Sequence, residues 1–323
     1  MTKPTDISNV AILGAGTMGA NIALNLAAHG VNVRLTDVRS EQLLRARQTI
    51  EENARQLFTA GLLPESIEHS LSRLSMPPRR DEALNDVQLV IEAVPENLEL
   101  KHRVFAELEA TCESHVILAS NTSTFMPSQL AAGLGHPATA ERLLVMHYWN
   151  PAHLIPLVEL VPHARTQLDV QERVRTLLER CGKQVVTLRK EIPGFIGNRL
   201  AFALQREAMS LVASGVATPG DIDTVTRASF GRRIPVTGIF QTADLGGLDV
   251  YLAVCQSIFP DLCRDTEAPP QLRQLVEAGR VGMKAGKGWN HYTDQEVAEL
   301  KTLLTAELVR HARTDATNLK QFK

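Results

Sequence analysis

His147 closes an apolar run, Leu143-Leu144-Val145-Met146, and Glu159, twelve residues on, interrupts a second, Leu157-Val158-Glu159-Leu160-Val161. A carboxylate inside a strand-like run is costly to bury alone, so it needs a partner, and imidazole is the natural one. Such a pair suits general acid–base work. The carboxylate orients the ring and balances its charge, and the ring exchanges a proton with a hydroxyl near neutral pH. The other nine histidines stand in no distinctive context. Cys112, Cys181, Cys255 and Cys263 form no CxxC pair, so reduced thiols are expected and no metal centre.

A second constellation lies near the start. Gly14-Ala15-Gly16-Thr17-Met18-Gly19 follows the strand-like run Val10-Ala11-Ile12-Leu13 directly and opens a helical pattern. In that context Gly14 permits a tight turn, Gly16 lets the backbone approach a pyrophosphate, and Gly19 lets helix and strand pack closely. Thr17 and Met18 begin the helix, whose unpaired amides face the phosphates. Asp37, 18 residues after Gly19, closes Val33-Arg34-Leu35-Thr36. There it would accept hydrogen bonds from ribose hydroxyls and repel a 2′-phosphate, which favours NAD over NADP. Arg39, two residues on, softens that preference. With NAD in place, an imidazole beside a carboxylate would take an alcohol proton as hydride leaves the same carbon.

These residues need elements to hold them. Val10 to Leu13, Val31 to Thr36, Val87 to Val94 and Val116 to Ala119 read as short buried strands. Helical patterns fall between them at Met18 to His29, Ser40 to Ala60 and Leu98 to Thr111. That alternation predicts a parallel sheet covered on both faces. Leu143 to His147, Leu157 to Val161 and Gln184 to Leu188 add strands, with a helix over Val170 to Cys181. Pro193 and Gly194 then break both periodicities. Beyond them the chain reads as helical at Phe195 to Ser214, Gly220 to Ser229, Asp244 to Ser257, around Leu272 to Ala278, and in a charged tail, Asp294 to Arg313. The expected fold is α/β: a Rossmann-type, doubly wound, mostly parallel sheet over residues 1–190, followed by a smaller all-α domain over 191–323. The helical domain would bind substrate and, through the apolar faces Phe195 to Leu211 and Leu245 to Val254, pair two copies into a homodimer.

The chain resembles the 3-hydroxyacyl-CoA dehydrogenase family. The resemblance rests on Gly14 to Gly19, Ser120-Asn121-Thr122-Ser123, His147 through Pro151 with Glu159, Pro193 through Arg199, and Gly282 through Gly288, in the family's order from about residue 8 to 293. It implies that His147 is the general base for alcohol oxidation and the acid for ketone reduction, and that Glu159 orients it. Ser123 and Asn198 would hydrogen-bond the substrate oxygen. Asn121 and Asn150 would contact the cofactor, Asn150 at its nicotinamide end, and Glu96 and Lys101 match the family's cofactor-contacting pair. The implied substrate is a short 3-hydroxyacyl-CoA.

Two departures keep the substrate open. Members that use CoA thioesters tend to carry Lys or Arg late in the helix after the second strand, where those charges meet CoA phosphates. Here that stretch is Arg55-Gln56-Leu57-Phe58-Thr59-Ala60-Gly61-Leu62-Leu63, which ends without a base. Arg45, Arg47 and Arg55 stand earlier, where a solvated helix face explains them equally. In the helical part, Arg232 and Arg233 occupy a stretch where relatives carry a Gly/Pro-rich turn, and paired arginines suit a free carboxylate. A small free 3-hydroxy acid or similar anionic alcohol without CoA is therefore the alternative substrate. A non-catalytic NAD-binding protein is a third reading, but such a chain has no physical reason to keep Ser123, His147, Glu159 and Asn198 together.

Composition narrows the rest. A net charge of −2 argues against nucleic acid or an anionic membrane as partner. Ala11 to Ala28 carries Asn21, Asn25 and three glycines, which does not fit a signal peptide or a spanning helix. A cytoplasmic location is expected.

Overall fold

The computed structural model describes residues 6–321. Strand and helix alternate through the first part of the chain: β1 (Asn9–Leu13), α1 (Thr17–Ala28), β2 (Asn32–Thr36), α2 (Ser40–Thr59), α3 (Ile67–Ser72), β3 (Leu74–Ser75), α4 (Arg80–Leu84), β4 (Leu89–Glu92), α5 (Leu98–Thr111) and β5 (Ile117–Ser120). There follow α6 (Pro127–Ala131), β6 (Leu143–Tyr148), β7 (Leu157–Pro162), α7 (Leu168–Arg180) and β8 (Gln184–Thr187). The eight strands form one sheet in the order β3-β2-β1-β4-β5-β6-β7-β8. All neighbours are parallel except β6 and β7, which run antiparallel with His147 opposite Glu159.

Burial of the strands on both faces explains their near-continuous apolar sequences. In β1, Val10 and Ile12 join one apolar cluster with Ile22, Leu26 and Ile50 of α1 and α2. Ala11 and Leu13 face the opposite cluster with Val104, Phe105 and Leu108 of α5. The chain order reverses between β1 and β4, so loops at the strands' carboxyl ends open a crevice there.

The described residues divide into two compact units, 6–198 with 305–321, and 199–304. This departs from the division expected at 190/191, and the tail does not stay with the helical part. The cause lies at the end of α2. Leu308 and Val309 of α13 (Asp294–Gln321) pack against the same cluster as Leu62, Leu63 and Ile67. Arg313 Nε donates to the carbonyl of Ala60 at 2.6 Å, satisfying an acceptor at a helix end.

The second unit is built from α8 (Gly197–Ala213), α9 (Pro219–Ala228), α10 (Ile234–Gly246), α11 (Leu248–Ile258), α12 (Pro270–Glu277) and the first turns of α13. The helix α10 adds to the sequence reading, which assigned no element between Ser229 and Asp244. Pro235 sits in the helix's first turn, where a missing N–H costs nothing. Gly238, at φ +66° and ψ −165°, is not helical and divides the segment into two helical stretches across a kink. None of α8 to α12 buries a residue. No helix among the described residues is long and apolar enough to cross a membrane.

Candidate active site

The turn from β1 into α1 is dictated by its glycines. Gly14 has φ +106°, and a Cβ there would lie 2.5 Å from the carbonyl oxygen of Ala93. A Cβ on Gly19 would lie 1.9 Å from the Gly14 carbonyl oxygen, so α1 approaches the turn as it does only through glycine. A Cβ on Gly16 would meet nothing within 4 Å, which leaves bare backbone facing open space. Asp37 ends β2, with Oδ2 accepting from Ala15 N at 2.9 Å and Oδ1 from Arg39 N at 3.0 Å. A cleft of about 590 Å³ runs past Gly14, Gly16, Thr17, Met18, Asp37, Arg39 and Ala93 to Pro95 and Leu100. A bare helix N-terminus for phosphates, with a carboxylate one strand away for a ribose, fits a dinucleotide.

At the other side of the crevice stands the pair read from the sequence. His147 and Glu159 face each other across β6 and β7, 4% and 1% exposed. Nδ1 of His147 lies 2.9 Å from Glu159 Oε2. Glu159 Oε1 accepts from the amides of Ile196 at 2.8 Å and Gly197 at 3.0 Å, and Trp149 Nε1 reaches Oε2 at 3.3 Å. Burial pushes the Glu159 carboxyl upward, but bonds from His147, Gly197, Ile196 and Trp149 outweigh it and hold the group below the ordinary carboxylate range. An ionised carboxylate only accepts, so Nδ1 carries a proton, and in the neutral ring Nε2 is then the acceptor. Ser123 Oγ lies 3.1 Å from that Nε2.

The loop carrying Ser123 is clamped from below. Glu96 Oε1 accepts from the amides of Ser123 and Thr124 at 3.2 Å each and from the hydroxyls of Thr122 and Thr124. Although burial works against it, the bonds from Thr122, Thr124 and Lys101 keep the Glu96 carboxyl below its usual range. Asn198 Nδ2 donates to the Ser123 carbonyl at 3.1 Å, and Asn121 Oδ1 accepts from Tyr148 N at 3.1 Å. Ser123, Asn198, His147 and Glu159 thus form one network. Asn150 lies exposed, two residues beyond Tyr148 at the end of β6.

Lys101 differs from expectation. It is 1% exposed, and its Nζ sits 2.8 and 3.0 Å from the two oxygens of Glu92 and 3.2 Å from Glu96 Oε2. Glu92, fully buried at the end of β4, also accepts from Ser120 Oγ at 2.5 Å and Val94 N at 2.7 Å. Sequence reasoning missed Glu92. The signal that found Glu159, a carboxylate inside an apolar run, is equally present in Leu89-Val90-Ile91-Glu92-Ala93-Val94. Phe195 and Trp149 were also missed. Phe195, fully buried at φ +52°, packs 5.3 Å from the imidazole, centroid to centroid, and Trp149 packs 5.8 Å from it. A non-glycine residue in the left-handed region costs about 1–3 kcal/mol. Here it turns two successive amides onto Glu159.

A doubly wound sheet with a dinucleotide cleft, and a carboxylate-held imidazole beside a hydroxyl, define a nicotinamide-dependent oxidoreductase. Residues 9–192 match the NAD-binding domain of 3-hydroxyacyl-CoA dehydrogenase and residues 194–292 match its C-terminal domain. The chain belongs to the 3-hydroxyacyl-CoA dehydrogenase family, and it is an NAD-dependent dehydrogenase acting on a CH–OH group. It is 33% identical to 5-formyl-3-hydroxy-2-methylpyridine 4-carboxylate 5-dehydrogenase of Mesorhizobium japonicum, over 94% of this chain and 96% of that protein. The crystal structure of a 5-dehydrogenase of that name, described as an NAD⁺-dependent dismutase, matches with a TM-score of 0.89 at 32% identity, covering 96% of this chain and 99% of the other. The 3-hydroxyadipyl-CoA dehydrogenase of Escherichia coli K12 is 37% identical over 88% of this chain and 58% of its own longer length.

Proposed function

We propose that this chain transfers hydride reversibly between NAD and the hydroxyl-bearing carbon of a small carboxylate that carries no CoA, with His147 as the proton-exchanging group. NAD supplies the hydride acceptor or donor. Nε2 of His147 takes the alcohol proton, and Glu159 stabilises the imidazolium that results. Ser123 Oγ donates its hydrogen bond to the substrate oxygen when substrate displaces it from Nε2, and Asn198 holds the Ser123 backbone. Asp37, Gly14, Gly16, Thr17, Met18 and Gly19 hold the adenosine and pyrophosphate. Asn121 and Asn150 border the nicotinamide end.

The observation that carries the CoA-free reading is the docking of α13 on the end of α2. The family resemblance places basic residues for CoA phosphates there. This chain offers Phe58, Thr59 and Ala60 instead, with Arg313 taken up by the Ala60 carbonyl. The family match stops at 292, before α13 begins. The likeness to the pyridine carboxylate enzyme runs over nearly the whole of both chains. The 3-hydroxyadipyl-CoA relative favours a second reading, a 3-hydroxyacyl-CoA substrate. Matched substrates with and without the CoA handle, 3-hydroxybutyrate against 3-hydroxybutyryl-CoA together with hydroxymethyl-pyridine carboxylates, separate the two through NADH formation. Free acids are expected to turn over at least tenfold faster in kcat/KM. Turnover of CoA thioesters alone would sink the CoA-free reading.

The active form is a homodimer joined through the helical unit. Phe202 (69% exposed), Phe240 (86%) and Leu245 (78%) stand on helices that bury nothing within one chain, more apolar surface than a soluble monomer ordinarily shows. Sedimentation equilibrium is expected to return twice the chain mass at micromolar concentration, and a monomer there would contradict the pairing.

A further inference from the structure

Lys183, just before β8, is 7% exposed, and its polar partners are backbone carbonyls, with no carboxylate among them. Its Nζ donates to the carbonyl oxygens of Ala152, at 2.5 Å, and Ile155, at 3.0 Å, and lies 5.7 Å from the centroid of the Tyr148 ring. Both carbonyls belong to the turn between β6 and β7, which is itself closed by the amides of Leu154 and Ile155 on the Pro151 carbonyl at 3.0 Å. That turn begins directly after Trp149 and Asn150 and joins the strand of His147 to the strand of Glu159.

We propose that Lys183 is a positioning residue for the reaction: by drawing two carbonyls of the β6–β7 turn onto one ammonium, it fixes Trp149 and Asn150 against the His147–Glu159 pair. The proposal rests on the reading of His147 given above. Charge-assisted bonds to buried carbonyls are among the stronger single contacts available to a turn. Without the ammonium, two buried acceptors lose their donor and the turn must shift to find others. The ladder between β6 and β7 holds His147 and Glu159 independently. The loss therefore falls on the geometry between ring, indole and nicotinamide end, and a displacement of about 1 Å there costs on the order of 10²-fold in rate.

The groups around Lys183 are Tyr148 of β6, His153 of the turn, His29 at the end of α1, Cys181 at the end of α7 and Asp315 of α13, the last four lining a cavity of about 170 Å³ with Lys183. Burial and the Lys183 charge push His153 down to about 4. Burial also lowers His29, and it pushes Cys181 up to about 12 and Tyr148 well above its usual value. Burial brings Lys183 itself down to about 8. Of these basic, thiol and phenol groups, Lys183 is the one that changes charge in mildly alkaline solution. Because its folded-state value lies below the ordinary lysine value, the unfolded chain binds more protons between the two, and this group makes stability rise with pH across that window. Loss of activity there is therefore not explained by destabilisation through this group.

The test is kcat, KM and NAD dissociation constant for wild type, Lys183→Met and Lys183→Arg from about pH 7 to 9.5. Lys183→Met is expected to lower kcat roughly 10–100-fold with NAD affinity unchanged within twofold. Lys183→Arg, which keeps its charge, is expected to recover most of kcat at pH 7 and to hold it above pH 8, where wild type declines several-fold. A Lys183→Met variant with kcat within threefold of wild type would overturn the proposal. So would Lys183→Arg and wild-type pH profiles that superimpose, and that comparison decides alone if Lys183→Met fails to fold. A fully active His147→Ala would instead remove the reading beneath, whatever the Lys183 variants do.

Discussion

His147→Ala is expected to lower turnover by roughly 10²–10⁴-fold and to leave NAD affinity within about twofold of wild type. The two effects separate because the residues touch different parts of the crevice. The cleft that fits the dinucleotide is lined by the β1–α1 turn, the end of β2 and the segment after β4, and not by His147. The imidazole instead meets Glu159, Ser123, Trp149 and Phe195. Its removal takes away the acceptor for the alcohol proton and leaves Glu159 bound to the amides of Ile196 and Gly197. Steady-state kinetics in both directions, with NAD titrated by fluorescence, checks the claim. A variant that turns over within threefold of wild type would take His147 out of proton transfer.

Lys101→Met is expected to be the most destabilising single change at the site, by about 3–5 kcal/mol. It strips the ammonium from Glu92, a carboxylate with no exposure, and leaves a charge that Ser120 and Val94 alone must satisfy. The melting temperature should fall on the order of 10 °C for a unit of this size. Replacing both partners, Glu92→Leu with Lys101→Met, should recover much of that loss, because no unpaired charge then remains in the interior. Activity is a separate readout. Lys101 also holds Glu96, and Glu96 holds the loop of Ser123, so the double variant should regain stability without regaining full kcat. A Lys101→Met protein that melts within about 2 °C of wild type would show that the pair contributes little.

Much of this was legible in the residues. The strands of the sheet were readable because each is short, Val/Ile/Leu-rich and closed by glycine or a charge. The cofactor turn was readable because Gly14, Gly16 and Gly19 stand between such a strand and a helical pattern. The pairing of His147 with Glu159 was readable from the cost of a buried carboxylate. The reason they meet was not. It is the antiparallel register of β6 and β7, which sets residue 147 opposite 159, and nothing in either strand announces its direction. The two-residue β3 is too short to carry a periodicity. Helix α10 was hidden by a proline tolerated in its first turn and a glycine that divides it. The docking of the chain's end on α2 escaped notice because amphipathic spacing says that a face will be buried but not against what. Glu92 was overlooked although its context matched that of Glu159. Its partner lies nine residues away in sequence, and Lys101 was read as facing the cofactor.

The tautomer of His147 gives the most direct test. ¹⁵N side-chain NMR of uniformly labelled protein, with the His147 signals assigned by difference against His147→Gln, reads the two ring nitrogens separately where the ring is neutral. The proton is expected on Nδ1, hydrogen-bonded to Glu159, with Nε2 bare and oriented by Ser123. A proton found on Nε2, with Nδ1 unprotonated, would contradict the assignment of Nε2 as the acceptor from which the chemistry proceeds.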